Sequence, residues 1–252
     1  MASHPFADHA RRDFMRVVGS GLAALAVAAQ ARRAVAQTPG SPLKIGMVGA
    51  GREGSALGKL FVKAGRPVMF SSRHPEQLKD LAAGLGPLAQ AGTVEQAIGF
   101  ADVVVIGIPY SAMEQLGKDH AAALAKKALV IDVSNPIARR DGEDLVKRVN
   151  EQGGAGLVTA KWLPGSHIVR AFNAIGAGRL AEIAHRPGDP VGMPIAGDDP
   201  KAIALAQSLI REIGFEPVVV GGLAMGKHLV PGTPLGGEHT PAEIRQIAGS
   251  LR

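Results

Sequence analysis

Apolar residues along this chain form two alternating patterns, short unbroken runs and helically spaced sets. Unbroken runs occupy positions 43–48, 101–109, 129–136 and 168–173, and each turns polar or contains Pro toward its C-terminal end. Helical spacing follows the first run, at Ala56, Leu57, Leu60, Phe61 and Val62. Strands that are apolar along their whole length are typical of a parallel sheet covered by helices on both faces. The pattern predicts an α/β fold with a doubly wound, mostly parallel sheet of the Rossmann type.

The remaining segments continue the same alternation. Residues 67–70 form a second short strand, and a helix starting near Pro75 follows it. Near the C-terminus, residues 190–199 precede a helix, and the strand 217–220 comes after that helix. Thr240 and Glu243 have the spacing of a capping box, with a Pro between them at the first helical position, and predict a last short helix. We therefore expect one compact domain over residues 43–252.

A glycine-rich turn follows the first strand in the order Gly49-Ala50-Gly51-Arg52-Glu53-Gly54. Gly49 permits a tight turn, Gly51 lets a diphosphate approach the backbone, and Gly54 lets the following helix pack close to the strand. The free N–H groups at the start of that helix would face the phosphates. A purely structural turn is the alternative, because the chain has 33 glycines. The apolar strand before the turn and the helix after it favour a dinucleotide-binding turn.

The end of the second strand predicts which dinucleotide binds. A carboxylate about 20 residues after the glycine turn usually holds the ribose 2′-hydroxyl of NAD. Here no Asp or Glu occurs between Ser55 and Pro75, and the strand ends in Ser71-Ser72-Arg73-His74. Ser72 and Arg73 suit a 2′-phosphate, since a guanidinium can pair with it through a charge-assisted fork. We therefore expect NADP(H) as the cofactor; in the alternative, Arg73 is a solvated loop residue.

The first 36 residues predict an export signal. Arg11 and Arg12 precede an apolar pair and a mild Ala/Gly/Val/Leu run from 17 to 29, which resembles a twin-arginine signal peptide. The small residues Ala34-Val35-Ala36 would form its cleavage site, and 37–42 a linker. The run is too short for a stable membrane span, which needs about 20 apolar residues. A periplasmic location follows from this interpretation; an ordinary secretory signal or an uncleaved anchor remains open.

Composition excludes several classes of function. Five of the 28 Lys and Arg residues and two of the 22 acidic residues lie in positions 1–36, so about half of the net charge of +6 belongs to the signal. The other basic residues are dispersed and are not interleaved with aromatic residues, which argues against nucleic-acid binding. Cysteine is absent, which excludes disulfides, thiolate catalysis and cysteine-bound metals. The eight His residues show no metal-ligand spacing, so we expect no metal site.

The order of these segments resembles a known family. The glycine turn, Ser72-Arg73, the runs 101–113 and 129–136, and Ala171-Phe172-Asn173 resemble the NADPH-dependent deazaflavin-coenzyme (F-420) reductases. These are small dinucleotide-binding enzymes related to the N-terminal domain of pyrroline-5-carboxylate reductase. The resemblance extends from Lys44 to about Gly221.

The resemblance implies a set of cofactor-binding positions. Ala50, Gly51, Arg52 and Glu53 would line the diphosphate, between Gly49 and Gly54. Ser72 and Arg73 would hold the 2′-phosphate, although Gln77 stands where some members carry a second cation, a Lys. The expected neighbours of the nicotinamide are Ile108, Pro109, Tyr110, Val133 and Ala171. Asn173 is a further cofactor-binding candidate.

The expected reaction is hydride transfer between NADPH and a small electron acceptor, a ring of the deazaflavin or flavin type. Such a transfer depends mainly on the proximity and orientation of two planar rings. The chain has no evident acid/base constellation, and the catalytic residues stay unknown. A structural or surface role is the simpler interpretation of each candidate donor, namely Tyr110, Ser111, His167, Asn173 and His228. Tyr110 is the best of them, since it is the only Tyr and follows a strand.

Two other functions stay open. The protein could bind NADP(H) as a fixed ligand in the cell envelope and act as a sensor without turnover. It could also reduce ferric or flavin acceptors, as does the related cytosolic domain of mammalian membrane metalloreductases. The expected partners are a small-molecule electron acceptor and the twin-arginine export machinery, and a homodimer is left open.

Overall fold

The computed structural model describes residues 42–251. The expected signal peptide at 1–36 and, apart from Pro42, the expected linker lie outside the described residues. One sheet contains all the strands of this range, and helices cover both of its faces. The strands are β1 (Ile45–Val48), β2 (Val68–Ser71), β3 (Ala89–Gly92), β4 (Val103–Ile106), β5 (Leu129–Asp132), β6 (Ile168–Arg170), β7 (Gly192–Gly197) and β8 (Glu216–Gly221).

The strand order is β3-β2-β1-β4-β5-β6-β7-β8. The first six strands are parallel, with registers such as Ile45 opposite both Val68 and Val103. β7 runs antiparallel to β6, and β8 is parallel to β7. The expected fold class, a doubly wound and mostly parallel Rossmann-type sheet in a single domain, is confirmed. The reversal at β7 follows from the connection between β6 and β7, which returns the chain along the sheet without a crossover.

Ten α-helices connect and follow the strands within residues 42–251. They are α1 (Arg52–Lys63), α2 (Lys79–Leu85), α3 (Val94–Phe100), α4 (Met113–Leu124), α5 (Ala138–Asp141), α6 (Glu143–Glu151), α7 (Ala155–Trp162), α8 (Ala177–Ile183), α9 (Pro200–Glu212) and α10 (Pro241–Ser250). Short 3-10 helices occupy Pro75–Leu78, Tyr110–Ala112 and Leu223–His228. None of the helices described here is both long enough and apolar enough to cross a membrane.

Local sequence signals explain several helix starts. The Thr240 hydroxyl accepts a hydrogen bond from the N–H of Glu243, whose side chain in turn accepts from the N–H of Thr240, so the expected capping box is confirmed. Thr93 and Gln96 form a second capping box at α3, which the sequence analysis did not identify. Asp199 caps α9 through the N–H of Lys201, with Pro200 in the first turn.

The core lies on both faces of the sheet. The strands β1 and β4 are buried at every position, as their unbroken apolar runs predict. Glycine allows close approach at Gly58 of α1, where a Cβ would lie 2.2 Å from the ring of Phe70 on β2. This packing holds α1, and with it the glycine turn before α1, against the sheet.

Candidate active site

A cleft of about 450 Å³ opens at the carboxyl edge of the parallel strands. The turns after β1, β4, β5 and β6 supply most of its lining, which is where ligands bind in open α/β sheets. The lining residues are Gly51, Arg52, Glu53, Gly107, Ile108, Pro109, Val133, Ser134, Asn135, Ile137, Arg140, Phe172, Asn173, Ile175, Gly176, Ala177 and Pro231.

The part of the cleft formed by Gly49 to Gly54, here called the glycine half, is built from backbone. Gly49 has a φ of +93°, and a Cβ on it would lie 2.7 Å from the carbonyl oxygen of Gly107. A Cβ on Gly54 would lie 2.0 Å from the carbonyl oxygen of Gly49. The N–H of Ala50 donates to the carbonyl of Ser71 at 2.8 Å and fixes the turn next to β2. These two glycines are therefore required by the packing of the turn itself.

Gly51 differs from Gly49 and Gly54 in the space around it. Its φ is −71°, and no atom of residues 42–251 lies within 4 Å of a Cβ built on it. The protein could therefore accommodate a side chain at this position, and the space that a side chain would fill borders the cleft. A diphosphate needs such a space beside the N–H groups of a helix start. The glycine half thus fits the diphosphate of a dinucleotide.

Glu53 brings a carboxyl group into the same half. Burial raises its pKa to about 7, although the N–H of Ala177 and the charge of Arg52 act in the opposite direction. Its Oε1 atom is buried and has no hydrogen-bond partner within the described part of the chain. Arg52 is exposed on the cleft wall. A carboxyl group with this pKa can enter a complex with an anionic ligand in its protonated form.

Ser72 and Arg73 follow β2 and lie outside the lining of the cleft. The Ser72 hydroxyl oxygen accepts a hydrogen bond from the N–H of His74 at 3.0 Å, which shapes this turn. Arg73 is exposed and forms no hydrogen bond or ion pair with any residue of 42–251. Its guanidinium is therefore available to a ligand group that extends past the end of β2.

The opposite part of the cleft, here called the amide half, consists of Ser134, Asn135 and Asn173 above the buried pair Asp132 and Arg170. Arg170 Nη1 donates to Asp132 Oδ2 at 2.5 Å, and both side chains are fully buried. Arg170 Nη2 donates to the Ser134 carbonyl at 3.0 Å and to Asn135 Oδ1 at 3.1 Å. The Ser134 N–H donates to Asp132 Oδ1 at 2.9 Å. The buried charged side chains of Asp132 and Arg170 thus hold the turn after β5 in place.

Two amide side chains connect β5 and β6 at the surface of this half. Asn135 Nδ2 donates to the Asn173 carbonyl at 2.8 Å, and Asn173 Nδ2 donates to the Asp132 carbonyl at 3.1 Å. Phe172, the residue between Ala171 and Asn173, has a φ of +62°, which is uncommon for a bulky side chain. Its ring packs edge-on against Phe215 at 5.9 Å between centroids. The strained backbone at Phe172 is therefore maintained by core packing and turns Asn173 toward the cleft.

The structure brings most of the expected site residues together. Gly51, Arg52, Glu53, Ile108, Pro109, Val133 and Asn173 line the cleft. Ala171 is fully buried beneath the lining. Several residues of the site were not predicted from the sequence. They are the buried Asp132 and Arg170 and the lining residues Gly107, Ser134, Asn135, Ile137, Arg140, Phe172, Ile175, Gly176, Ala177 and Pro231. A charged residue at the last position of an apolar strand was the available signal for Asp132 and Arg170.

Tyr110 lies elsewhere. Its side chain is fully buried, its hydroxyl donates to the Ala155 carbonyl at 2.9 Å and is paired with Thr159 Oγ1 at 3.1 Å. Burial and the negative charge of Asp132 raise its pKa well above the usual value of a tyrosine. Thr159 in turn donates to Asp132 Oδ2 at 3.0 Å. Tyr110 therefore supports the buried pair and does not line the cleft.

Ser111, His167 and His228 also lie outside the cleft lining. The Ser111 hydroxyl donates to Asp141 at 2.9 Å, and His167 Nδ1 is paired with Asp199 at 2.5 Å. His167 directly precedes β6 and so stands at the opposite edge of the sheet. His228 ends the last 3-10 helix, and burial and the charge of Lys227 lower its pKa. Among the five candidate donors, only Asn173 contacts the cleft.

The chain is similar to known proteins in sequence and in fold. Residues 44–136 match the family model described as NADP oxidoreductase, coenzyme F420-dependent. The chain is similar to the metalloreductase STEAP3 of Rattus norvegicus, with 30% identity over 199 residues that represent 77% of this chain and 37% of that protein. The chain thus spans little more than a third of this relative.

Solved structures share the fold. The hypothetical protein SMa0349 from Sinorhizobium meliloti has a TM-score of 0.67 and 26% identity, covering 79% of this chain and 95% of its own. A pyrroline-5-carboxylate reductase from Coxiella burnetii has a TM-score of 0.52 and 18% identity, covering 71% and 59%. The second likeness is one of fold alone. The chain is thus similar to NADP oxidoreductases over residues 44–136, and part of the cleft lining lies within that range.

Proposed function

We propose that the protein transfers hydride between NADPH and a planar ring acceptor of the deazaflavin or flavin type. The observation that carries this proposal is a cleft that joins the open space at Gly51 to the ends of β4, β5 and β6. A dinucleotide whose diphosphate lies at Gly51 would extend toward the amide half. The nicotinamide, when bound, supplies the hydride.

The chain's own residues bind and orient both reactants. The N–H groups at the start of α1 would hold the diphosphate, and Ile108, Pro109 and Val133 would form apolar walls for the ring. The buried network holds Asn135 and Asn173 in place, so these two side chains would have a fixed position relative to the ring. Catalysis would then come from proximity and orientation. This role needs no protein acid in the amide half, which agrees with the burial of Tyr110.

The preference for NADP over NAD is part of the proposal. It is supported by the exposed and unpaired Arg73 at the end of β2 and by the absence of acidic residues between Ser55 and Pro75. A carboxylate in that turn would repel a 2′-phosphate, whereas a guanidinium pairs with it. The family description of residues 44–136 also names NADP.

We further propose export by the twin-arginine route and a periplasmic location. The paired arginines, the mild apolar run and the small-residue cleavage site of positions 1–36 support this. A folded protein that is exported with its cofactor has to retain it. An association rate near 10⁶ M⁻¹s⁻¹ and retention for about an hour would require a dissociation constant of roughly 0.3 nM.

The experiment that tests the function measures NADPH oxidation at 340 nm by purified protein with flavin, deazaflavin and ferric acceptors, one at a time. We expect turnover with at least one ring acceptor and none when Gly51 is replaced by Val. Turnover with ferric chelates and no ring acceptor would favour the metalloreductase activity named for the rat relative. Tight NADP(H) binding with no oxidation by any acceptor would favour the envelope sensor instead.

A further inference from the structure

The cleft is larger than a nicotinamide ring, and its lining includes residues that are not assigned to that ring. Across the sheet, its lining passes from the glycine turn at β1 to the turns at β4, β5 and β6, and it then includes Ile137 and Arg140 from the segment after β5. Pro231, from the C-terminal part of the chain, borders the same region. If the cofactor occupies the β1 to β5 part, this end of the cleft is the place for the acceptor.

Arg140 is held in a defined orientation at that end. Its Nη2 atom donates to the Asn135 carbonyl at 2.6 Å and to Asp141 Oδ2 at 2.9 Å, and its Nε atom contacts both oxygens of the same carboxylate at 3.2 Å. Nη1 has no hydrogen-bond partner among residues 42–251, and the side chain is 41% exposed. One edge of the guanidinium is thus fixed by the protein, and the Nη1 end is available to a ligand.

Asp141 pairs with Arg140 and is itself bound by donors from Ser111 and Ile137. The Asp141 side chain is fully buried and accepts from the N–H of Ile137 at 2.9 Å, from the N–H of Ser111 at 3.1 Å and from the Ser111 hydroxyl at 2.9 Å. Burial raises the pKa of Asp141, but the hydrogen bonds from Arg140, Ile137 and Ser111 outweigh it and keep the pKa below its usual value. Asp141 is therefore a buried anchor that faces the protein, while Arg140 faces the cleft.

An exposed aliphatic residue lies three positions before Arg140 and lines the same cleft. Ile137 is 36% exposed, which makes it one of the few exposed large aliphatic residues of the described chain. Pro231 also lines the cleft. An aliphatic surface beside one oriented guanidinium suits a molecule that has an apolar body and an oxyanion group.

We propose that this end of the cleft binds an acceptor bearing a carboxylate or phosphate group, with Arg140 Nη1 as the anion-binding donor and Ile137 against the apolar body. The inference rests on the proposed function, since it names the substrate class for the same cleft. Arg140 is accordingly a specificity-determining residue, and the neighbouring Arg139, which is exposed and does not line the cleft, is not.

The test uses two flavins that differ by one phosphate, flavin mononucleotide and riboflavin. Each is titrated by fluorescence into the full chain saturated with NADP⁺, for the unchanged protein, Arg140→Gln and Arg139→Gln. We expect flavin mononucleotide to bind about tenfold more tightly than riboflavin, the scale of one charged hydrogen bond at a half-exposed site. Arg140→Gln should remove this difference by weakening flavin mononucleotide alone, and Arg139→Gln should preserve it.

Several outcomes would overturn the inference. These are equal affinities for the two flavins, an equal loss of both in Arg140→Gln, or the same effect in Arg139→Gln. Failure of flavin mononucleotide, benzoate and inorganic phosphate all to bind at millimolar concentration would also overturn it. An unchanged melting temperature and NADP⁺ affinity in Arg140→Gln show that the cleft is intact. NADP⁺ binding and NADPH oxidation are measured separately, so failure of the proposed function itself is recognised by their absence.

Discussion

The glycine half of the cleft, at the end of β1, is built almost entirely from backbone, whereas the amide half, at the ends of β5 and β6, stands on buried charged side chains. In the glycine half, Gly49 and Gly54 are required by close contacts, and Gly51 leaves open space. In the amide half, the fully buried Asp132 and Arg170 hold Ser134 and Asn135 in place. One half therefore needs small residues at fixed spacing, and the other needs a network that spans three elements.

This difference has an energetic consequence. Taking two charges out of water costs several kcal/mol per ion, and their mutual attraction repays this cost only when the remaining hydrogen bonds are satisfied. Asp132 meets that condition with donors from Arg170, Ser134 and Thr159, whereas the buried Nε atom of Arg170 has no partner within residues 42–251. Substitutions in the amide half should therefore mainly lower the stability of the protein, and substitutions in the glycine half should mainly lower its affinity for the cofactor.

The largest expected effect is on stability, at Arg170. Arg170→Met leaves the Asp132 carboxylate buried without its cation, and we expect the free energy of unfolding to fall by about 3–5 kcal/mol in urea titrations. The double variant Asp132→Leu/Arg170→Met should recover most of this loss, since an apolar pair has no charge to desolvate. A loss below about 1 kcal/mol in the single variant would mean that water or a rearrangement replaces the guanidinium.

The second effect separates the glycines of the turn. Gly51→Val should abolish binding of NADP(H) and NAD(H) in calorimetric titrations, because its side chain would fill the diphosphate space, while the melting temperature stays within a few degrees. Gly54→Ala is the matched variant, since its Cβ would lie 2.0 Å from the Gly49 carbonyl and should lower stability as well. Unchanged cofactor affinity in Gly51→Val would show that the diphosphate does not bind beside Gly51.

The third effect concerns the choice of cofactor. Arg73→Glu should weaken NADP(H) binding by about 1.5–3 kcal/mol and NAD(H) binding much less, because a carboxylate repels the 2′-phosphate but can accept from a 2′-hydroxyl. Arg245→Glu introduces the same charge change at an exposed position on α10 and should affect neither cofactor. Equal losses for both cofactors in Arg73→Glu would indicate a structural role for Arg73.

The smallest effect is the pH dependence introduced by Glu53. Because folding raises its pKa from 4.5 to about 7, its contribution to stability is present below pH 4.5 and is lost as the pH rises through about 7. A bound diphosphate would favour the protonated carboxyl further, so NADP⁺ affinity should fall as the pH rises from 6 to 8, by at most about tenfold per pH unit.

The comparison with Glu53→Gln isolates this group. The glutamine variant lacks the ionisable carboxyl, and its NADP⁺ affinity should therefore change less between pH 6 and 8 than that of the unchanged protein. Titration of the cofactor's own 2′-phosphate is common to both proteins and cancels in the comparison. Identical pH profiles for the two proteins would show that Glu53 keeps one protonation state through binding.

The strand framework and the glycine half could be predicted from local sequence patterns. The unbroken apolar runs located β1, β4, β5 and β6, and the spacing of three glycines located the turn, because both depend on residues close together in the chain. The ends of the strands were less well predicted. The run 168–173 predicted a longer strand than Ile168–Arg170, and the observed strand is shorter because Phe172 adopts a positive φ. The short strand β3 was not located, because its sequence Ala-Gln-Ala-Gly lacks an apolar run.

The amide half and the reversed direction of β7 depend on contacts between distant parts of the chain and could not be predicted from local patterns. Asp132 and Arg170 are separated by 38 residues, and Arg170 is recognisable as their partner only when β5 and β6 pair side by side. The same pairing brings Asn135 to Asn173, while packing of Tyr110 against Thr159 removes its hydroxyl from the cleft. The spacing of residues in a local motif is enough to predict its geometry. A buried network forms only after the sheet has assembled, because each charged group needs partners from other strands and helices to offset its desolvation.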